Sequence, residues 1–274
     1  MNYYRAEKVN EHITAIHSAT HEILYLIEGY KKAFLIDTCT GAGNLKDFVL
    51  SLSNLPLSVI VTHGHIDHAM GAPSFETVYM NELDLPIFES MKSFEERSGY
   101  ISANLGRPVP PELKATYVDP AGFHFLPLYD GERFDLGGLH ISVYSLAGHT
   151  PGTMTVLVEE DKILISGDAC NQATFLFDEN TLPVSQYRKT LEAFNEHLKG
   201  KYERVFGMHH EMELGRDVLI NVIELCDRIL EGMADDIPFR FRGGTYYIAA
   251  KADRSFHRED GKSGNIIYNK ERLY

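Results

Sequence analysis

Seven consecutive residues, Thr62-His63-Gly64-His65-Ile66-Asp67-His68, carry three histidines and an aspartate. Neutral imidazole and carboxylate are borderline donors that suit zinc, and also iron or manganese. His63 and His65 are two apart, so in extended backbone they point to one side and can share one ion. Asp67 and His68 reach a second ion nearby more easily than they join that pair. The bland alternative is a polar turn of solvent-facing histidines, and the other donors of the chain weigh against it. His149 stands in Ala147-Gly148-His149-Thr150-Pro151-Gly152 and Asp168 in Ser166-Gly167-Asp168-Ala169. His209 closes Phe206-Gly207-Met208-His209 and is followed by His210.

Each donor follows a run that reads as a buried strand. Val59, Ile60 and Val61 are apolar and β-branched, with Pro56 as a breaker before them, and Gly64 is expected to let the chain turn sharply. An alternating run over residues 139–146 precedes His149. Ile163-Leu164-Ile165 precedes Asp168, and Arg204-Val205-Phe206 precedes His209. The ends of strands are where α/β sheets place binding groups.

With these pieces in place, the chain resembles the metallo-β-lactamase superfamily of hydrolases. THGHIDH, AGHTPG, SGDA and FGMHH occur in the family's order, and the resemblance covers about residues 12 to 215. It implies an α/β fold, an αββα sandwich of two mixed sheets flanked by helices. Carried over by position, His63, His65 and His149 would hold one metal ion. Asp67, His68 and the last histidine would hold another, with Asp168 bridging both. The family's strand–Gly–x–His pattern favours His209 over His210 for that last ligand. The implied cofactors are two divalent ions, zinc first, with iron and manganese suited to the same donors.

Within the family, Asp168 is an aspartate where the best-known antibiotic hydrolases have a cysteine, and His65 is a histidine where the oxygen-reducing branch has a glutamate. AGHTPG is similar to the glyoxalase II and lactonase-like branch. The basic glutathione-binding pattern and the helical C-terminal domain of that thioesterase are not matched, which puts glutathione thioesters in doubt as substrates.

Composition sets the outer bounds. With 274 residues and a hydrophobic fraction of 44%, the chain can build one large α/β domain. The expectation is a single domain over 1–274, with a helical insertion at 81–124 and a C-terminal extension at 233–274. A net charge of −13 opposes binding to nucleic acid phosphates. No apolar run is long enough for a membrane span and the first residues lack a signal-peptide core, so cytoplasmic residence is expected. Three widely spaced cysteines suit a reducing compartment. From Arg240 to Tyr274 there are eight Lys/Arg against four Asp/Glu, a net +4. Such a basic, strand-forming tail could fold onto the acidic body or onto a second copy, and a homodimer is slightly favoured over a monomer.

Along the chain, runs at 22–28 and 33–37 read as a hairpin joined by Gly29-Tyr30-Lys31-Lys32, and Leu45, Phe48, Val49 and Leu52 carry helical spacing. Asp37 ends a strand and is equally readable as a turn residue or as the partner of a ligand histidine. Residues 81–105 read as helical with a break at Pro86. A lid or pocket wall is expected in this segment, with Phe88, Phe94 and Tyr100 as lining, against the plainer reading of helix packing. The second half begins near Asp130-Gly131. Strands are expected at 153–159 and 162–166, helices at 186–198 and 217–230, and strands again at 239–242, 245–250 and 265–268. His17, His21 and His257 read as surface residues.

The chemistry expected is that of a metal-dependent hydrolase. Two ions about 3.5–4 Å apart can share a water and ionise it, giving a metal-bridging hydroxide as nucleophile and an ion to stabilise the oxyanion. Asp67, beyond ligating, could orient that hydroxide as a catalytic residue. Cys170 reads as a small buried residue rather than a nucleophile. The substrate is a small-molecule ester, thioester, lactone or amide. A phosphodiesterase on the same centre is the alternative, and a non-hydrolytic metal-binding or redox protein ranks third. Tyr246, Tyr247, Arg242 and His124 are candidate substrate contacts.

Overall fold

The computed structural model describes residues 3–274. The chain divides into two compact units, one ending at Ile141 and the other running from Ser142 to Tyr274.

The first unit is built on a seven-stranded sheet in chain order. Its strands are β1 (Tyr4–Lys8), β2 (Ile13–Ser18), β3 (Ile23–Glu28), β4 (Ala33–Ile36), β5 (Leu57–Ile60), β6 (Val78–Met80) and β7 (Leu126–Pro127). The first four form an antiparallel meander and the rest add in parallel. The expected hairpin is present, with Tyr25 paired to Ile36 and Glu28 to Ala33. Parallel strands need a crossover, and α1 (Leu45–Leu52) supplies the one from β4 to β5. Its Leu45 and Val49 are buried at helical spacing, as the sequence predicts.

Short α2 (Ile66–Ala69) follows β5, and α3 (Leu85–Met91), α4 (Phe94–Leu105) and α5 (Pro111–Lys114) lie between β6 and β7. Pro86 does not break a helix here. It occupies the first turn of α3, where its missing N–H has no partner to lose. The break comes at Lys92-Ser93, where the Ser93 hydroxyl accepts from the N–H groups of Glu95 and Glu96 and starts α4. Arg97 on α4 is fully buried, donates to the Val118 carbonyl at 2.7 Å and lies over the rings of Phe94 and Tyr117. Phe88 points into the core, edge-on to Phe125. Strand β8 (Arg133–Asp135) precedes the boundary, which falls inside β9 (His140–Ser145) rather than at Asp130-Gly131.

The second unit continues with β10 (Met154–Val158), β11 (Ile163–Ile165), β12 (Thr174–Leu176), α6 (Val184–His197), β13 (Arg204–Phe206), β14 (Glu213–Leu214), α7 (Val218–Leu230), β15 (Ile237–Phe241), β16 (Gly244–Ile248) and β17 (Ile266–Tyr268). Strands β14-β13-β11-β10-β9 lie side by side in one sheet. Val184, Tyr187, Leu191 and Phe194 of α6 and Val218, Val222, Leu225 and Ile229 of α7 form a core with Leu157, Leu164 and Val205. The tail adds a further sheet, ordered β12-β17-β16-β15. Its edge partner β12 follows the Asp168 loop, and Thr174 pairs with Ile266. The tail is thus woven into the unit's backbone hydrogen bonding. Among the described residues no helix is long and apolar enough to cross a membrane.

Candidate metal centre

In the first unit the donors cluster at the ends of the parallel pair β4 and β5, where Ile36 is in register with Ile60. One residue past β4, Asp37 is buried with a left-handed backbone, φ 65°. Its Oδ1 accepts from the Thr62 N–H at 2.6 Å, and its Oδ2 accepts from Thr62 Oγ1 at 2.8 Å and His68 Nδ1 at 2.6 Å. A carboxylate only accepts, so both the Thr62 proton and the His68 Nδ1 proton are directed at it. With its own proton given away, Thr62 Oγ1 accepts from His63 Nδ1, 3.1 Å off. One aspartate thereby sets the tautomer of two histidines and leaves the lone pair of each on Nε2.

The geometry matches a shared cation. His63 Nε2 stands 3.1 Å from His65 Nδ1. Two nitrogen ligands of one tetrahedral zinc are about 3.3 Å apart for Zn–N bonds of about 2.0–2.1 Å. His68 Nε2 is 3.7 Å from Asp67 Oδ2. His63 and His68 are buried, while His65 and Asp67 are partly open.

Gly64 does not have a positive φ. It is needed for close approach: a Cβ would fall 2.5 Å from the Asp84 carbonyl oxygen. Its N–H donates to Asp84 Oδ2 at 2.8 Å, and Asp84 is fully buried. Asp67 accepts from the Tyr100 hydroxyl of α4 at 2.8 Å. Burial first, then the charges of Asp67 and Glu22, push that phenol well above its ordinary value, so it stays protonated.

In the second unit, β11 and β13 run parallel with Ile165 opposite Phe206. Asp168 and His209 each lie three residues past that pair. Asp168 Oδ2 is 3.5 Å from His209 Nε2 and 3.6 Å from His149 Nε2. One carboxylate oxygen therefore stands nearly equidistant from two imidazole nitrogens, at separations suited to co-ligands rather than hydrogen bonds. The other oxygen, Oδ1, accepts from Asn171 Nδ2 at 3.1 Å. His149 Nδ1 donates to the Phe175 carbonyl at 2.9 Å, which again leaves the lone pair on Nε2. Gly148 is required beside it, because a Cβ there would fall 2.1 Å from the Tyr187 ring. Tyr187 is buried and donates to the Ala169 carbonyl at 2.5 Å, fixing the loop after Asp168. Cys170 is fully buried, and burial pushes its thiol up to about 12, so it supplies no thiolate. His210 is exposed, has φ 59° and meets the edge of Phe256.

Tyr246 stacks on Phe177 with ring centroids 4.1 Å apart, whereas Tyr247 faces the other side of β16, against Tyr268 and Lys270. Arg242 is exposed and lies over Phe241. His124 is exposed in the loop before β7. His21 is exposed, His17 is half-buried against Glu7, and His257 is half-exposed against Glu211 and Asp253. Residues that sequence reasoning missed are Thr62, Asp84, Glu22, Asn171 and the carbonyl of Phe175. Thr62 is adjacent to the motif and Asn171 is close to Asp168. The others come from distant positions or from backbone, which leaves no local signal.

A family model for the metallo-beta-lactamase superfamily matches residues 24–209. The chain belongs to that superfamily, and it is a metal-dependent hydrolase. It is similar to the acyl-coenzyme A thioesterase MBLAC2 of Gallus gallus, at 26% identity over 69% of this chain and 72% of that protein. It is also similar to the hydroxyacylglutathione hydrolase GloC of Haemophilus influenzae, at 26% identity over 52% of this chain and 63% of that protein. Among solved structures, a metallo-beta-lactamase from Pontibacter korlensis has the same fold, with a TM-score of 0.58 and 16% identity over 82% of this chain and 99% of that one.

Proposed function

We propose that the chain is a binuclear metallohydrolase of a small-molecule ester or thioester, with lactones and amides as further acyl substrates. His63, His65 and His149 would hold one ion, Asp67, His68 and His209 the other, and Asp168 would bridge them. Zinc suits this donor set, as do iron and manganese. The observation that carries the reading is Asp168 Oδ2, held 3.5–3.6 Å from the Nε2 atoms of both His149 and His209. A carboxylate so placed serves two cations at once.

When bound, two such ions supply Lewis acidity, acidifying a shared water and polarising the scissile carbonyl. The chain's own part is to fix the donors. Asp37 holds His68 and, through Thr62, His63 in the productive tautomer. The Phe175 carbonyl does the same for His149, and Asn171 turns Asp168. Asp67 is the catalytic candidate, since its carboxylate can ligate and accept a proton from the attacking water. Residues 81–124 and 233–274, with His124, Arg242, Tyr246 and Tyr247, are where substrate choice is proposed to lie. The relatives named as acting on acyl-coenzyme A and hydroxyacylglutathione favour a thioester within the acyl class.

A substrate panel tests the assignment: an acyl-coenzyme A, a hydroxyacylglutathione, p-nitrophenyl acetate, a lactone and bis-p-nitrophenyl phosphate. A thioester or ester is expected to give the highest kcat/KM, with turnover lost in H63A. Turnover of the phosphodiester above all acyl substrates would establish the phosphodiesterase reading instead.

A further inference from the structure

Tyr100 lies on α4, far in sequence from every ligand, yet its hydroxyl reaches two carboxylates of the first unit. Asp67 Oδ2 is 2.8 Å away and Glu22 Oε1 is 2.9 Å away. Glu22, one residue before β3, is 2% exposed. Its other oxygen, Oε2, accepts from Ser18 Oγ, from Thr20 Oγ1 at 2.6 Å and from Cys39 Sγ at 3.2 Å. Tyr3 braces that group from behind, its hydroxyl 2.8 Å from Thr20 Oγ1 and 3.2 Å from Thr40 Oγ1. A buried carboxylate costs free energy unless it is hydrogen-bonded, and this one has a donor set built around it. Oε1 remains for Tyr100.

We propose that Tyr100 is a positioning residue for Asp67, with Glu22 as the buried anchor that fixes its hydroxyl. A carboxylate on a short turn can rotate about χ2 and exchange its two oxygens. The phenol has one proton, and shared between Asp67 Oδ2 and Glu22 Oε1 in a three-centre hydrogen bond it restrains that freedom. The clamped oxygen, Oδ2, is the one that stands 3.7 Å from His68 Nε2, so the clamp selects the face that Asp67 shows to a cation. The helical segment between β6 and β7 thereby contributes directly to the metal site, through one hydroxyl, and is more than a cover. The inference rests on Asp67 being a ligand, as in the proposed function.

The test compares wild type, Y100F and D67A as metal-free protein titrated with zinc against a competing chelator. Y100F keeps the ring and its packing, and its metal-free melting temperature, measured in parallel, is expected to match wild type closely. The weaker of the two zinc affinities is expected to fall about tenfold in Y100F, the scale for groups that orient ligands, and further in D67A. In steady-state hydrolysis Y100F should lower kcat with KM within about twofold. Unchanged zinc affinity in Y100F alongside a loss in D67A overturns the role of Tyr100 while leaving Asp67 a ligand. Unchanged affinity in D67A as well overturns both. A drop in melting temperature with wild-type zinc affinity assigns Tyr100 to packing and also overturns the proposal.

Discussion

At the scale of single residues, the site depends on atoms that set the state of other atoms. Asp37 accepts three hydrogen bonds and fixes two imidazoles without being among the expected ligands. Its replacement in D37A leaves the buried His68 Nδ1–H and Thr62 N–H without an acceptor. Zinc affinity is expected to fall about 10–100-fold. Stability in urea should fall by about 1–3 kcal/mol, the scale for stranded buried donors. Wild-type zinc affinity in D37A would count against the tautomer argument. Gly64 gives a second, purely steric prediction. In G64A the new methyl meets backbone, the Asp84 carbonyl, which cannot swing aside as a side-chain tip would. Denaturant unfolding should show a loss of about 1–3 kcal/mol, and a loss well under that range would mean the motif loop yields.

At the scale of elements, most of the donors are delivered by two pairs of parallel strands, while His149 lies in the turn between β9 and β10. β4 and β5 bring Asp37 beside Thr62, and β11 and β13 bring Asp168 beside His209 with equal offsets from the paired residues. The tail reaches the loops that follow β11 and β13. Gln172 donates to the Phe256 carbonyl, Phe256 meets His210, and His257 pairs with Glu211 at 2.8 Å. Glu211 first, then Asp253, raise the His257 pKa above its ordinary 6.5. A raised folded-state value means that the stabilisation is complete below about pH 6.5 and fades as pH climbs through the folded-state pKa. The melting temperatures of wild type and H257A should therefore differ more at pH 6 than at pH 8.5. The difference is expected to be small, because His257 is exposed. An equal difference at both pH values would remove the charge from the explanation.

These elements also show why some of the site was legible in the sequence. Strand ends carrying HGHIDH, AGHT, GDA and GMHH announce themselves because apolar runs and donor residues are adjacent. Glu22 and Tyr100 meet Asp67 across the fold, and nothing near either of them marks the meeting. Pro86 is ambiguous for a local reason: proline is a breaker inside a helix and a starter in its first turn, and the pattern around it does not say which applies. The tail's strands were visible, but their pairing with β12 was not, since register across a long separation depends on tertiary packing.

At the scale of the whole molecule, the metal-dependent fold predicts that ions stabilise the chain as well as activate it. A ligand held at about a hundred times its dissociation constant adds about 2.7 kcal/mol to the folded state. At about 2–4 °C per kcal/mol, stripping with a chelator should lower the melting temperature by roughly 5–10 °C and abolish hydrolysis. Added zinc, iron or manganese should restore both, and the metal that restores most activity identifies the working ion. A chelated protein with unchanged melting temperature and activity would contradict metal dependence at its root.

The proposed centre has two ions sharing Asp168. Calorimetric titration of the metal-free chain with zinc measures it directly, in wild type and in H149A. Two ions per wild-type chain are expected, and H149A should lose one tight site, with kcat/KM for the best acyl substrate falling in step. A wild-type chain that saturates with a single ion would contradict it.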